Sequence, residues 1–133
     1  MQNVPQWLSD TWEWDGATWT QHDGKGPPSR FGHGMAFDTI RARTVLFGGT
    51  ALNYSRFLGD TWEWNGATWV LMSEFGPVPR TATSLCFDGS ETVLFGGQIR
   101  VNENFTPIGD TWSFDGRFGR SPRTLDQGQE RLV

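Results

Sequence analysis

The sequence predicts an all-β protein built from short antiparallel strands. Three features carry that expectation: a phrase that returns every fifty residues, a composition rich in aromatics and glycine, and side chains that alternate with a period of two. The chain has 133 residues, with 8 Trp, 10 Phe and 17 Gly but a single Tyr and a single Cys. This mixture favours half-buried strands joined by tight turns.

The repeat is the strongest signal. Asp10-Thr11-Trp12-Glu13-Trp14-Asp15-Gly16-Ala17-Thr18-Trp19 returns as Asp60-Thr61-Trp62-Glu63-Trp64-Asn65-Gly66-Ala67-Thr68-Trp69, and begins again as Asp110-Thr111-Trp112-Ser113-Phe114-Asp115-Gly116. A second unit repeats between these copies. Pro28-Ser29-Arg30 leads to Met35-Ala36-Phe37-Asp38 and then to Thr44-Val45-Leu46-Phe47-Gly48-Gly49. Its counterpart runs from Pro79-Arg80-Thr81 through Leu85-Cys86-Phe87-Asp88 to Thr92-Val93-Leu94-Phe95-Gly96-Gly97. Length changes fall between the strand-like pieces, where loops absorb them.

Alternation assigns the faces. Trp62 and Trp64 share one side of a strand, and Thr61 and Glu63 the other. Asn65-Gly66 reads as a two-residue type I′ turn, which needs positive φ at both positions. That register sets Trp64 opposite Ala67 and Trp62 opposite Trp69, a pair worth roughly 0.5–1.5 kcal/mol beyond burial. Trp12 and Trp19 repeat the arrangement around Asp15-Gly16. Val45 to Phe47 reads as a strand covered on both faces and ending at a diglycine. Met35 and Phe37 point one way and Ala36 the other, and Leu85, Phe87 and Cys86 repeat this, so Cys86 reads as a small core residue.

These phrases, in this order, resemble the kelch repeat over about residues 7–116. That family's unit is a four-stranded antiparallel blade of a β-propeller: an inner strand, a strand ending in a diglycine, a third strand with spaced aromatics, and an outer strand carrying Trp. The resemblance implies inner strands at 32–37 and 82–87, and diglycine strands at 43–49 and 92–97. It implies third strands at 10–15, 60–65 and 110–115, and an outer strand at 67–72. The motif residues are Trp12, Trp14, Trp19, Gly48, Gly49, Trp62, Trp64, Trp69, Gly96, Gly97 and Trp112. Trp14, Trp64 and Phe114 stand where the family often has Tyr, which keeps the ring and removes a hydroxyl.

The implied architecture is a partial kelch-type propeller of about two four-stranded blades. Residues 1–29 hold third and outer strands and a linker, and 30–72 a complete blade. Residues 73–116 form a blade lacking its outer strand, and 117–133 a degenerate tail. In that tail Gly119-Arg120-Ser121-Pro122-Arg123-Thr124 resembles Gly76-Pro77-Val78-Pro79-Arg80-Thr81, the segment that elsewhere follows an outer strand.

Catalysis is not expected. Some kelch-fold proteins are copper-radical oxidases similar to galactose oxidase, whose site needs His and Tyr ligands and a Cys cross-linked to Tyr. This chain offers His22, His33, Tyr54 and Cys86, scattered and without a metal-binding motif, so neither metal nor cofactor is expected. Asp10, Asp60 and Asp110 recur once per repeat, as turn-capping residues would. Arg30 and Arg80 admit two readings. In some kelch relatives an Arg here faces the central depression and contacts acidic ligands, and the alternative is a carboxylate inside its own repeat. Asn53-Tyr54-Ser55 and Asn104-Phe105-Thr106 are glycosylation sequons in equivalent loops.

The expected function is recognition of a protein or another ligand through loops on one rim, those at 22–30, 50–59, 72–80 and 98–109. The candidate contacts are Arg30, Asn53, Tyr54, Arg56, Phe57, Arg80, Arg100, Asn102 and Phe105. Alternatives are a structural fragment or assembly unit of a larger propeller, a glycan-binding module, or part of a kelch-fold enzyme. A net charge of -4 without basic clusters argues against nucleic acid. No apolar run reaches the ~18 residues of a membrane span. Met1 to Leu8 has neither a basic stretch nor an apolar core, so no signal peptide is predicted. Cys86 has no partner in the chain, which leaves the compartment open. Two blades would expose aromatic faces at both ends, so the chain is expected to self-associate, with a trimer closing a six-bladed ring as the first expectation.

Overall fold

The computed structural model describes residues 7–51 and 53–117. The resemblance of Gly119–Thr124 to Gly76–Thr81, and all of the tail expected at 117–133 except Arg117, lie outside the described residues, as does most of the Met1–Leu8 segment. Among the described residues the fold is all-β, with no helix. Eleven strands run in chain order: β1 Thr11–Trp14, β2 Trp19–His22, β3 Gly34–Asp38, β4 Arg43–Ala51, β5 Arg56–Trp64, β6 Trp69–Ser73, β7 Ser84–Phe87, β8 Thr92–Phe95, β9 Gln98–Val101, β10 Asn104–Pro107 and β11 Thr111–Phe114.

They form four antiparallel sheets, none of which closes on itself. The central one is the meander β3-β4-β5-β6. On one side lies the hairpin β1-β2, and on the other the sheet β7-β8-β11. The fourth is the hairpin β9-β10. The two diglycines act alike up to a point. Gly48, Gly49, Gly96 and Gly97 all have positive φ. In β4 the strand continues past a bulge at Gly48 to pair Gly49, Thr50 and Ala51 with Leu58, Phe57 and Arg56. After β8 the ladder breaks at Gly96-Gly97, and the equivalent pairing becomes the separate hairpin β9-β10. The diglycines were expected to end their strands; β4 runs two residues further, because a bulge lets glycine turn the ladder without ending it.

The turn expected at Asn65-Gly66 is corrected. Trp64 pairs with Trp69 and Trp62 with Leu71. The Asn65 side-chain oxygen accepts the N–H groups of Ala67 (2.9 Å) and Thr68 (2.8 Å), and only Gly66 takes positive φ. A side chain that bonds the backbone two and three residues on widens the loop to four residues and shifts the register. Asp15 does the same for Ala17 and Thr18, so the ring pairs are Trp64–Trp69 at 5.5 Å and Trp14–Trp19 at 5.4 Å.

The buried apolar residues are Val45, Leu46, Phe47, Trp64, Leu94 and Phe114, and those of them between the central sheet and β7-β8-β11 are Val45, Phe47, Leu94 and Phe114. Val45, Phe47 and Thr61 face Leu85, Leu94, Trp112 and Phe114 across a narrow gap. Cys86, expected in a core, is exposed. Its neighbours Leu85 and Phe87 turn inward, which sends Cys86 to the far side of the same sheet with Phe95, itself 53% exposed. On the opposite flank β1-β2 covers Trp64: the Trp64 indole donates to Glu13 (2.9 Å) and the Trp69 indole to Thr11 (2.8 Å). Between the central sheet and β11, Arg41 plays the corresponding part, bonding Glu63 and lying 5.4 Å over the Phe114 ring. Phe114, unlike Trp64, has no N–H to offer a carboxylate, and the guanidinium stands in.

Candidate functional site

The two long hairpins bring an aromatic row to one rim. Phe31 is tied to the end of β4 by two backbone hydrogen bonds with Thr50, at 3.1 and 2.8 Å. Its ring meets Trp7 at 4.6 Å and Tyr54 at 4.7 Å, both edge to face. Tyr54 reaches Phe105 at 6.2 Å, and Phe105 stacks on Phe57 at 5.6 Å with an interplanar angle of 5°. Tyr54 and Phe105 are about half exposed, at 50% and 52%. Packed edge-to-face and offset rings hold one another, so this surface is apolar and ordered together.

The turns that present these rings are strained. Asn53 and Tyr54 have φ of 53° and 67°, and Asn102 and Glu103 have φ of 46° and 70°. The last two join Val101 to Asn104 with positive φ at both central residues, the signature of a type I′ turn, here without glycine. Arg100 ties the hairpins together: one guanidinium nitrogen donates to the Tyr54 carbonyl and the other to the Glu103 carboxylate, each at 2.9 Å. Non-glycine residues in this region cost of order 1 kcal/mol each and mark positions fixed by their surroundings.

Of the candidates named from sequence, Tyr54, Phe57, Arg100 and Phe105 converge here, with Asn53 and Asn102 at the turn tips. Arg56 lies one step away, exposed at the start of β5, on a cleft it shares with Phe57, Asp60 and Glu74. Phe31 and Trp7 complete the row and were not anticipated, since nothing in their local pattern marks them. Arg30 and Arg80 are elsewhere in character. Each is buried and forked onto a carboxylate thirty residues on. Arg30 reaches both oxygens of Asp60 (2.6 and 2.8 Å) and the carbonyls of Gly48 and Pro28. Arg80 does the same with Asp110, Gly96 and Val78. The intra-repeat pairing is thus the arrangement present.

A tryptophan completes each pair. The Trp62 indole donates to Asp60 at 2.6 Å and the Trp112 indole to Asp110 at 2.7 Å. Burial works against a charged Asp60, but the hydrogen bonds of Arg30 and Trp62 outweigh it and hold its pKa below the ordinary aspartate value. For Asp110 the hydrogen bonds from Arg80 dominate, with the same direction. His33 lines a pocket with Arg30; burial, then the Arg30 charge, pushes its pKa down. Among the described residues no group of three or more His, Cys, Asp or Glu is placed to hold a metal ion, and no helix is long and apolar enough to cross a membrane. No protein-family model matches the chain, and no curated protein matches it.

Proposed function

We propose that the chain is a segment of a kelch-type β-propeller and acts as a non-catalytic binding module, using the aromatic rim as its recognition surface. The observation that supports this most is the row Trp7–Phe31–Tyr54–Phe105–Phe57, assembled from four stretches of chain and open to solvent at Tyr54 and Phe105. Rigid aromatic anchors give large contact area at low entropic cost, and interfaces concentrate their energy in such residues. The propeller reading is supported by the meander β3-β4-β5-β6 and by the recurrence of its parts, in order, in β1-β2 and in β7-β8-β11. Arg100 and Glu103 neutralise each other at 2.9 Å, so the surface favours an uncharged, aromatic or apolar ligand group.

A peptide partner is the first reading. A glycan is the second, favoured by the parallel Phe57–Phe105 stack with its exposed outer ring. The test is to screen the full chain against a displayed peptide library and a glycan array, then repeat with Tyr54→Ala and Phe105→Ala. We expect hits from one library only, weakened about tenfold or more by either substitution while thermal melting barely moves. Hits that survive both substitutions would place recognition away from this rim.

A further inference from the structure

We propose that the outer edge of β5 pairs with an extended peptide segment of a partner protein, acidic where it meets Arg56 and basic where it meets Glu74. This rests on the peptide reading of the rim and gives that peptide's main chain a place beside it. The inference starts from where the central meander stops pairing. β5 pairs with β4 from Arg56 to Trp64 across one bulge, but β6 joins it only from Thr61 to Trp64. The last of those pairs is Thr61–Ser73. There the Ser73 hydroxyl donates to the Phe75 carbonyl (2.6 Å) and accepts the Phe75 N–H (3.0 Å). A side chain that bonds nearby backbone competes with the ladder, and the chain leaves β5 at this point. Among the described residues no strand pairs with the Arg56–Asp60 part of β5 on the side away from β4.

The main chain along this edge is aimed outward. Thr50, opposite Phe57, directs both of its main-chain groups to Phe31, at 3.1 and 2.8 Å. Thr50–Phe57 is therefore a non-hydrogen-bonded pair, and the Phe57 N–H and C=O point away from β4. The Leu58 carbonyl points the other way and accepts the Arg80 N–H at 3.0 Å. Alternation then returns Gly59 to the outer edge. This edge borders a cleft of about 460 Å³, inside the roughly 300–1,000 Å³ range of ligand sites. Trp62 and Leu71 line it on the apolar side, and Trp62 is held by its hydrogen bond to Asp60. Arg56 and Glu74 also line it; both are exposed, and neither side chain has a hydrogen bond or ion pair among the described residues. Glu74 follows Ser73, whose partner is Thr61, so the two charges stand at opposite ends of the unpaired edge. An extended segment with an acidic residue toward one end and a basic one toward the other matches both. A strand added to an open sheet edge gains main-chain hydrogen bonds, and its alternate side chains give specificity. Edge and rim meet at Phe57, whose ring stacks on Phe105.

The test uses the full chain and the tightest-binding peptide recovered from a displayed library, read by titration calorimetry. Methylating the peptide's amide nitrogens one at a time should weaken binding at least about tenfold at alternate positions and leave the positions between nearly unaffected, the period of a strand. Arg56→Glu should weaken the same peptide about tenfold or more, and changing the peptide's acidic residue to Lys should restore binding, which a misfolded variant could not do. Hydrogen exchange should show the Phe57 and Gly59 amides gaining protection when the peptide is added. Binding that is lost with Tyr54→Ala or Phe105→Ala, yet shows no alternate pattern and ignores Arg56→Glu, overturns this proposal and leaves the rim as the recognition surface. A loss in Arg56→Glu that the charge swap fails to reverse also overturns it. Recovery of no peptide overturns both this proposal and the peptide reading of the rim. A dimer by light scattering, with Phe57 and Gly59 already protected before peptide is added, would put a second copy of the chain on the edge and overturn the proposal as well.

Discussion

A guanidinium that water cannot reach is tolerable only when its donors are matched. Arg80 is fully buried, and its donors go to Asp110 and two carbonyls. Removing the carboxylate leaves a buried cation, a change that costs about 3–5 kcal/mol. Asp110→Ala should therefore lower the urea midpoint steeply, and Asp60→Ala likewise, since the Arg30 side chain is only 3% exposed. Asp10→Ala strands no guanidinium among the described residues and should leave the midpoint nearly unchanged. Equal losses at all three positions would sink the assignment. The pairs also set the acid limit. Both folded carboxylates titrate below their unfolded value, so their stabilisation is complete above the ordinary aspartate range and is lost as pH falls through the lower, folded pKa. The pairs' contribution to melting temperature should hold from neutrality to roughly pH 4 and then fall, the part below pH 4 shrinking in Asp60→Ala. This comes on top of an earlier decline through the ordinary histidine range, set by the lowered His33 pKa.

At the level of elements, glycine is needed where a side chain would strike backbone. A Cβ on Gly49, at φ 100°, would stand 2.7 Å from the Phe31 carbonyl oxygen and 3.1 Å from the His33 nitrogen. Gly66 has nearly the same φ, 93°, but nothing within 4 Å. Gly66→Ala should cost only the backbone strain, of order 1 kcal/mol, whereas Gly49→Ala adds displacement of the Phe31 bridge. Differential scanning calorimetry should rank Gly49→Ala as clearly the worse, and it should also loosen the aromatic rim. Equal effects would mean that the close approach at Gly49 relaxes freely. This pair also shows what was legible in the sequence. The strands of the repeated phrases were readable because alternation and repetition report them directly, whereas β9 and β10 fall in the 98–109 stretch that reads as a loop. The hairpin register was not, because the side-chain oxygens of Asn65 and Asp15 chose the loop length. Cys86 was misread because alternation separates two faces without saying which one is covered. The thirty-residue Arg–Asp spacing was present in the sequence, but only burial chose between an outward and an inward guanidinium. Tyr54 and Phe105 could be named from their equivalent loops. Phe31 and Trp7 could not, since their role comes from a bridge to Thr50 and from ring contacts across the chain.

Across the whole molecule, stability is unevenly placed. The buried apolar residues belong to β4, β5, β8 and β11, and the central strands β4 and β5 pair along nearly their full length. Among the described residues β1-β2 bonds to one neighbour, the central sheet, and the exposed flank it presents includes Trp12, Trp14 and Trp19. β9-β10 is a two-stranded sheet whose residues are mostly exposed. Isolated two-stranded hairpins are marginal in water, whereas strands flanked on both sides open only with the global transition. Native-state hydrogen exchange should therefore show three levels in a dilute sample. Val45, Leu46, Phe47 and Trp62 should exchange slowest, at the free energy of global unfolding. β8 and β11 should follow, because the edge of β11 away from β8 is unpaired within the described residues. β1-β2 and β9-β10 should open locally and exchange fastest. The two hairpins should then part company when the rim binds a ligand: protection rises at β9-β10 and the Tyr54 turn on adding it, with β1-β2 unchanged. Uniform protection across all eleven strands would mean that the sheets unfold as one unit, and would remove the basis for treating hairpin and rim as separable surfaces.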